Sequence, residues 1–216
     1  MDGHPGPAPD AVTVLWCTTD GNERRTAHTL LLRAAARTLR VPVSGLRLDH
    51  EPGGRPVIGG VAEAPRVSLA HARGALAVAL TDRTPVGVDV EVVRELRADA
   101  LARSWLHPAE AEWIAGLPER QRSVAFLWLW TQKESVGKAR GQGLRRGGMS
   151  RPVPLPERWP PAASLTPRPL PGAAHLTSSA VIVGEGRYVL GLALVGAVRA
   201  GAVRTRVRRV DAADYA

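Results

Sequence analysis

Three carboxylates in two short segments are the residues best suited to chemistry. Asp89 and Glu91 lie in GVDVEV, residues 87–92, and Glu134 lies in WTQKESVGKAR, residues 130–140. Carboxylate oxygens are ligands that Mg²⁺ prefers, and phosphate oxygens and waters can complete its octahedron. The six histidines are scattered and Cys17 stands alone, so the His/Cys spacing typical of zinc or iron sites is missing. The sequence therefore predicts a magnesium site at these carboxylates.

The residues around these carboxylates indicate phosphoryl chemistry. A Mg²⁺ held here could bridge pyrophosphate oxygens and orient an attacking hydroxyl in line. Lys138 follows Glu134 by one helical turn and is suited to hold a phosphate as a point charge. Glu134 could take the proton of the hydroxyl, directly or through water. Glu134 and Lys138 are therefore the predicted catalytic residues.

Two elements must position this group. Residues 88–93 have the pattern of a strand, in which Asp89 and Glu91 share one face while valines share the other. Residues 119–140 are the strongest helix candidate, ending at glycines 141 and 143. Trp130, Glu134 and Lys138 recur every four residues along it and so lie on one face.

The rest of the chain alternates between predicted helices, strands and turns. A break at His107 and Pro108 divides the predicted helical region 98–115. The segment EPGGRP, residues 51–56, is rich in proline and glycine and is predicted to form a turn. The proline-rich stretch 151–171 is expected to be irregular, with no secondary structure. Helices are predicted at 26–40 and 98–115, strands at 12–16, 178–183 and 187–195, and a hairpin within 66–80.

Composition narrows the class of protein. The chain has 216 residues, of which 44% are apolar and 23% charged, and this is typical of a globular fold. A net charge of +9 favours anionic partners. A single cysteine and an N-terminus without a secretory pattern predict a cytoplasmic protein. The longest apolar run, residues 188–198, is too short to cross a bilayer, so no membrane association is expected.

Each feature also has a plainer interpretation. Two acids on a strand often form only a solvated face, and a Glu–Lys pair spaced four apart is often a surface pair. His71 alone would be a hydrogen-bonded hairpin histidine, and Arg55 an exposed turn residue. Only two of the 29 basic residues are lysines, Lys133 and Lys138, five positions apart. Their joint occurrence with the carboxylates favours a functional site.

These segments resemble a known family. GVDVE (87–91) followed by WTQKESVGKARGQGL (130–144) is similar to the signature of Sfp-type 4'-phosphopantetheinyl transferases. GRP (54–56), VSLAHARG (67–74) and SWLHPAE (104–110) resemble further motifs of that family. The resemblance covers about residues 25–195. It implies transfer of 4'-phosphopantetheine from coenzyme A to a serine of an acyl or peptidyl carrier protein.

The resemblance also implies a fold and a set of site residues. The family fold is α+β, a pseudo-dimer of two similar halves, each a small antiparallel sheet packed with helices, with the active site at the junction. The expected halves are residues 1–86 and 87–216, with a proline-rich loop at about 151–172. Trp130 is interpreted mainly as packing that orients its helix. The implied magnesium ligands are Asp89, Glu91 and Glu134, and the implied coenzyme A contacts are Arg55, His71, Asp89, Lys133 and Lys138.

The chain departs from the family pattern in three places. Ala70 and Ala72 stand where serines usually flank the motif histidine, and Thr29 follows His28 where the family often has arginine. The N-terminus also looks shorter than usual. These differences bear on coenzyme A affinity more than on metal binding.

The sequence leaves two alternatives to the transferase interpretation open. One is a relative with lost or altered catalysis that binds carrier protein or coenzyme A, suggested by Ala70 and Ala72. The other is a basic nucleic-acid-binding protein, suggested by the sequence pI of about 11.1. Since no nucleic-acid module is recognisable, no nucleic-acid partner is expected. A monomer is what the fused-half architecture implies.

Overall fold

A computed structural model of the chain describes residues 10–144, 148–196 and 203–211. Within these residues the fold is mixed α+β, which confirms the expected class, and a short 3-10 helix lies at Val43–Gly45. The α-helices are α1 (Glu23–Leu39), α2 (Ala98–Trp105), α3 (Pro108–Ala115) and α4 (Glu119–Ala139). The strands are β1 (Asp10–Thr18), β2 (Arg47–His50), β3 (Pro56–Gly59), β4 (Arg66–Ala72), β5 (Ala75–Thr81), β6 (Val86–Val92), β7 (Arg168–Leu170), β8 (Ala173–Val183), β9 (Tyr188–Val195) and β10 (Val203–Arg209).

The first sheet has the strand order β10-β1-β5-β4, and a hairpin of β2 and β3 stands apart from it. β1 runs antiparallel to β5 and parallel to β10. All seven residues of β5 are buried, because both of its faces are covered. Its larger side chains, Leu76, Val78 and Leu80, pack in one cluster with α1. Its alanines pack in a different cluster with residues of β6 and β9.

The second sheet has the order β6-β9-β8-β7, and its neighbouring strands are antiparallel. The central strand β9 repeats the division seen in β5. Leu190, Leu192 and Leu194 pack towards the first sheet, whereas Val189 and Ala193 pack in the cluster that contains α4. The two sheets therefore face each other, with α1 outside the first and α4 outside the second.

A hydrogen bond joins the two sheets near the predicted site. The Ser68 hydroxyl on β4 accepts a hydrogen bond from the Val88 amide on β6, at 3.0 Å. Both residues are buried, so the strand that carries Asp89 is attached to the first sheet as well as to its own. No helix in the described parts of the chain is long and apolar enough to cross a membrane.

Most of the predicted elements are confirmed. The early strand, the first helix, the hairpin within 66–80, the strand of the carboxylates and the long helix are all present. The break between α2 and α3 lies at Leu106 and His107, where expected, and the EPGGRP turn connects β2 to β3. The closing hairpin is also present, although β8 begins at Ala173 rather than near 178.

Four strands were not predicted: β2 and β3, which flank the EPGGRP turn, and β7 and β10. The interpretation of 151–171 as wholly irregular is wrong at its end, where β7 pairs with β8. Pro169 is tolerated there because β7 is an edge strand of its sheet. The basic tail forms β10 beside β1 in the first sheet. The division into halves at residue 86 falls at the start of β6 and stays a prediction.

Candidate active site

Two glycines allow α4 to lie directly on β6 and β9. A Cβ atom on Gly87 would overlap the carbonyl oxygen of Ser135, and one on Gly191 would lie 2.5 Å from the carbonyl oxygen of Thr131. A larger residue at either position would push the helix away from the sheet. This close approach brings Asp89, two residues after Gly87, against the C-terminal half of α4.

Asp89 forms an ion pair with Lys138. Lys138 Nζ donates to Asp89 Oδ1 at 2.7 Å and to the Val88 carbonyl oxygen at 3.1 Å. Asp89 is only 7% exposed, so the interpretation of this residue as part of a solvated acidic face is wrong. Its second oxygen, Oδ2, is buried and has no hydrogen-bond partner among the described residues. A buried carboxylate oxygen without a partner is costly unless a ligand satisfies it.

The three predicted carboxylates lie within electrostatic reach of one another. Burial raises the pKa of Asp89 to about 7; Lys138 opposes this shift, while Glu134 and Glu91 add to it. Burial is also the main cause that raises the pKa of Glu134, and Glu91 contributes in the same direction. Such mutual repulsion disfavours the ionised carboxylates, and a nearby positive charge relieves it. The structure thus brings the predicted carboxylates into one group.

The carboxylates do not form a closed metal cage in this structure. Among the described residues, no group of three or more His, Cys, Asp or Glu side chains is gathered closely enough to hold an ion. Glu91 pairs with Arg94 at 3.1 Å, and Lys138 takes one oxygen of Asp89. The donor chemistry nevertheless fits Mg²⁺, because all three groups offer hard oxygens and Asp89 Oδ2 is free to accept a cation. Magnesium ligation stays a prediction.

Arg55 lies at the C-terminal end of α4. Its Nη2 donates to the Ala139 carbonyl oxygen at 2.7 Å, which satisfies one of the carbonyls left open at a helix end. Gly141, at a φ of +65°, leaves no room for a Cβ beside this guanidinium. The structure therefore brings Arg55 from the β2–β3 turn to within one residue of Lys138.

His71 lies exposed on β4, one residue before the end of the strand. It is close enough to Glu23 and His28 to influence their pKa values. The Glu23 carboxylate accepts a hydrogen bond from the Gly74 amide at 3.0 Å, and this bond is the main cause that lowers the pKa of Glu23. Ala70 is buried in the core between the sheets, so an apolar residue suits its surroundings.

Lys133 is located differently from the other predicted cations. Its side chain is fully buried, and its Nζ lies 2.7 Å from Glu110 Oε2. It also donates to the Arg151 carbonyl oxygen. Burial lowers the pKa of Lys133, while Glu110 opposes that shift. The structure does not bring Lys133 to the Asp89–Lys138 pair, and its predicted contact with coenzyme A is untested.

Glu110 is a residue that the sequence analysis did not single out. It is 1% exposed and belongs to a capping box at the start of α3, where its carboxylate accepts from the His107 amide. The sequence HPAE contains the signal for the helix start. It contains no signal for the second role of the same carboxylate, as the partner of Lys133.

Trp130 packs against aromatic neighbours. Its ring centroid lies 5.6 Å from that of Trp105 and 6.0 Å from that of Phe126. Since Trp105 is 47% exposed, this cluster extends from α4 to the surface. The contacts agree with the interpretation of Trp130 as a packing residue.

Cavity size does not identify the site. Open cavities of about 510 and 370 Å³ lie beside Trp128 and beside Asp99, respectively. Neither is lined by any of the predicted site residues. A smaller cavity of about 50 Å³ is lined by Arg55, but the charge cluster around Asp89 is what brings the predicted site residues together.

Comparison with known proteins identifies the family of this region. A family model described as the 4'-phosphopantetheinyl transferase superfamily matches residues 85–193, which contain Asp89, Glu91, Glu134 and Lys138. The chain is 30% identical over 111 residues to the 4'-phosphopantetheinyl transferase HetI of Nostoc sp., covering 50% of this chain and 47% of that protein.

Two other relatives match more briefly or less closely. The chain is 27% identical over 115 residues to a 4'-phosphopantetheinyl transferase of Bacillus subtilis, covering 53% of this chain and 50% of that protein. It is 40% identical over 76 residues to the 4'-phosphopantetheinyl transferase AcpT of Salmonella typhi, covering 34% of this chain and 39% of that protein. The matches thus span about half the length of these relatives or less.

Proposed function

Because the chain belongs to the 4'-phosphopantetheinyl transferase superfamily, we propose that it transfers the 4'-phosphopantetheine group of coenzyme A to a serine hydroxyl of an acyl or peptidyl carrier protein. The observation that carries this proposal is the ion pair between the buried Asp89 and the partly buried Lys138, with Glu91 and Glu134 close enough to raise the pKa of Asp89. All four residues lie within the matched region.

The proposed reaction breaks the phosphoanhydride bond of coenzyme A and forms a phosphate ester bond to the carrier serine. The serine oxygen attacks the phosphorus that carries the pantetheine arm, and the bond from this phosphorus to the bridging oxygen of the pyrophosphate breaks. Adenosine 3',5'-bisphosphate leaves with the bridging oxygen. Glu134 accepts the serine proton, directly or through water, and burial supports this role because it raises the pKa of Glu134.

Asp89, Glu91 and Glu134 would hold Mg²⁺. When bound, the ion would supply positive charge to the pyrophosphate oxygens. Asp89 would offer its unpartnered Oδ2, and Glu91 would exchange Arg94 for the ion. Lys138, whose side chain is 31% exposed, would turn from Asp89 to a phosphate oxygen of coenzyme A.

Residues from both expected halves of the chain would bind coenzyme A. Arg55 and His71 come from the first 86 residues, and Arg55 already reaches the end of α4. A contact by Lys133 would require it to leave Glu110. In the proposed pseudo-dimer the site lies at the junction of two similar halves. The arrangement of one long helix outside each sheet, α1 and α4, supports this proposal.

The direct test is transfer to carrier proteins in vitro. The purified protein is incubated with coenzyme A, Mg²⁺ and a panel of apo acyl and peptidyl carrier proteins, and intact mass spectrometry detects the added group. We expect a gain on at least one carrier that disappears with a chelator or when the acceptor serine is replaced by alanine. If the folded protein modifies no carrier that an established transferase modifies in parallel, the proposal is wrong.

A further inference from the structure

Glu110 and Lys133 form a junction between three segments of the chain. Glu110 belongs to α3, Lys133 to α4, and residues 151 and 153 to the segment after the helix. Lys133 Nζ lies 2.7 Å from Glu110 Oε2 and 3.0 Å from Oε1, and also donates to the Arg151 carbonyl oxygen. The Val153 amide donates to Glu110 Oε1 at 2.9 Å. These bonds attach the start of the proline-rich segment to both helices.

The Glu110 carboxylate is fully satisfied. In addition to Lys133 and Val153, the His107 amide donates to Oε2 at 3.0 Å. The side chains of Lys133 and Glu110 are 0% and 2% exposed. Removing two charges from water is costly, and a buried ion pair seldom stabilises a protein more than well-packed apolar side chains would. Stability alone therefore gives little reason for an ion pair at this place.

The position of Lys133 on α4 suggests another reason. Successive residues of an α-helix point about 100° apart, so Lys133 and the adjacent Glu134 have fixed relative directions. On the opposite side of the helix, Thr131 and Ser135 rest on Gly191 and Gly87. Glycines present no side chains that could interlock with the helix and prevent its rotation. The directional contacts of Lys133 restrict that rotation from the outer side.

We propose that the Glu110–Lys133 pair is a positioning device, which fixes the rotation of α4 so that the Glu134 carboxylate faces Asp89 and Glu91. The assignment rests on the proposed function of that carboxylate group. Lys133 then acts through the helix and touches neither substrate nor metal. Neutralising the pair in a folded protein weakens divalent-cation binding and slows transfer, although no ligand has been removed.

The test compares two double variants, each with one of its two substitutions on α4. Glu110→Gln/Lys133→Met removes the buried charges. Asp99→Asn/Arg122→Met removes another ion pair, with an N–O distance of 2.8 Å, that joins α2 to α4 about three turns before Lys133. Binding of Mn²⁺ is measured by electron paramagnetic resonance, and folding by circular dichroism. We expect the first variant to lose about 10-fold or more in Mn²⁺ affinity, and the second to bind Mn²⁺ as the wild type does.

Kinetics give a second readout where transfer is measurable. A positioning role lowers kcat more than it raises KM for coenzyme A, whereas a phosphate contact by Lys133 would mainly raise KM. Equal losses of Mn²⁺ affinity in the two double variants, or wild-type affinity in a folded Glu110→Gln/Lys133→Met protein, would overturn the proposal. So would the absence of Mn²⁺ binding by the wild type.

A conservative variant covers the case in which the double variant does not fold. Glu110→Asp keeps both charges and shortens the side chain by one methylene, so a positioning role predicts weaker Mn²⁺ binding in a folded protein. Unchanged affinity in this variant contradicts the proposal. The proposed function fails separately, when the wild type modifies no carrier protein even though the variants differ in Mn²⁺ affinity.

Discussion

Lys138 Nζ lies 2.7 Å from Asp89 Oδ1 and joins helix α4 to strand β6. The lysine also donates to the Val88 carbonyl oxygen, so it contacts the strand through two atoms. It supplies positive charge to a buried carboxylate that also lies within electrostatic reach of Glu134 and Glu91. In the absence of a metal ion, Lys138 is therefore the counter-ion that makes the buried carboxylate tolerable.

Replacing this counter-ion should destabilise the protein as well as impair transfer. In Lys138→Met we expect the free energy of unfolding to fall by about 1–3 kcal/mol at pH 8, because Asp89 is left buried without its cation. Urea denaturation without divalent cations measures the change. Arg120→Met, an exposed position on the same helix, is the control. Equal free energies of unfolding for the two variants would contradict the role of Lys138 as counter-ion.

The raised pKa of Asp89 predicts how stability depends on pH. Its pKa rises from an ordinary value of 3.8 to about 7 in the folded protein. Between about pH 4 and 7 the folded state keeps a proton that the unfolded chain has released, so the contribution of Asp89 to stability falls as pH rises and is constant above about pH 7.

Asp89→Asn removes this titration and isolates it. The free energy of unfolding of the variant minus that of the wild type should rise by about 2–4 kcal/mol from pH 4 to pH 7 and then stay level. Groups that titrate equally in both proteins cancel in this difference. Urea denaturation at pH 4, 5.5, 7 and 8 without divalent cations measures it. A difference that is independent of pH would mean that Asp89 has an ordinary pKa.

Local patterns in the sequence were sufficient to predict most elements, but not their assembly. The apolar runs around Gly74 predicted the hairpin within 66–80. The structure adds that the alanines of β5 face one core, while Leu76, Val78 and Leu80 face the other. β10 could not be placed, because its partner β1 lies almost the whole chain away. Residues 203–209 are rich in arginine, and charged side chains suit a strand at the edge of a sheet.

The relative positions of the site residues were predictable only where those residues lie on the same strand or helix. Strand alternation and the four-residue helical spacing placed Asp89, Glu134 and Lys138 on the correct faces. The partners of Arg55 and Lys133 were not predictable, because each lies in a distant segment: the Ala139 carbonyl in one case and Glu110 in the other. These contacts depend on how α3 and the β2–β3 turn pack against α4. The residue pattern within a single element does not specify that packing.

The contact between β6 and α4 can be tested at its glycine. In Gly87→Ala, the added methyl group meets the Ser135 carbonyl, so we expect a loss of about 1–3 kcal/mol in the free energy of unfolding. Transfer should slow further than the loss of folded protein explains, since Glu134 moves with the helix. Gly45→Ala is the control, because a Cβ there meets no atom within 4 Å. Similar stability and activity of the two variants would show that α4 does not require this close approach.

The proposed base is tested by a change that keeps its shape. Glu134→Gln cannot accept the serine proton and offers a weaker ligand to Mg²⁺, so we expect the rate of transfer to fall by about 10²–10⁴-fold. The fold should persist, because burial raises the pKa of Glu134 and an amide removes that electrostatic cost. Thermal unfolding followed by circular dichroism checks the fold, and the intact-mass assay measures the rate. Glu112→Gln, on the exposed side of α3, should transfer at the wild-type rate. If Glu134→Gln retained that rate as well, the proton would have to leave by another route and the assignment of the base would be wrong.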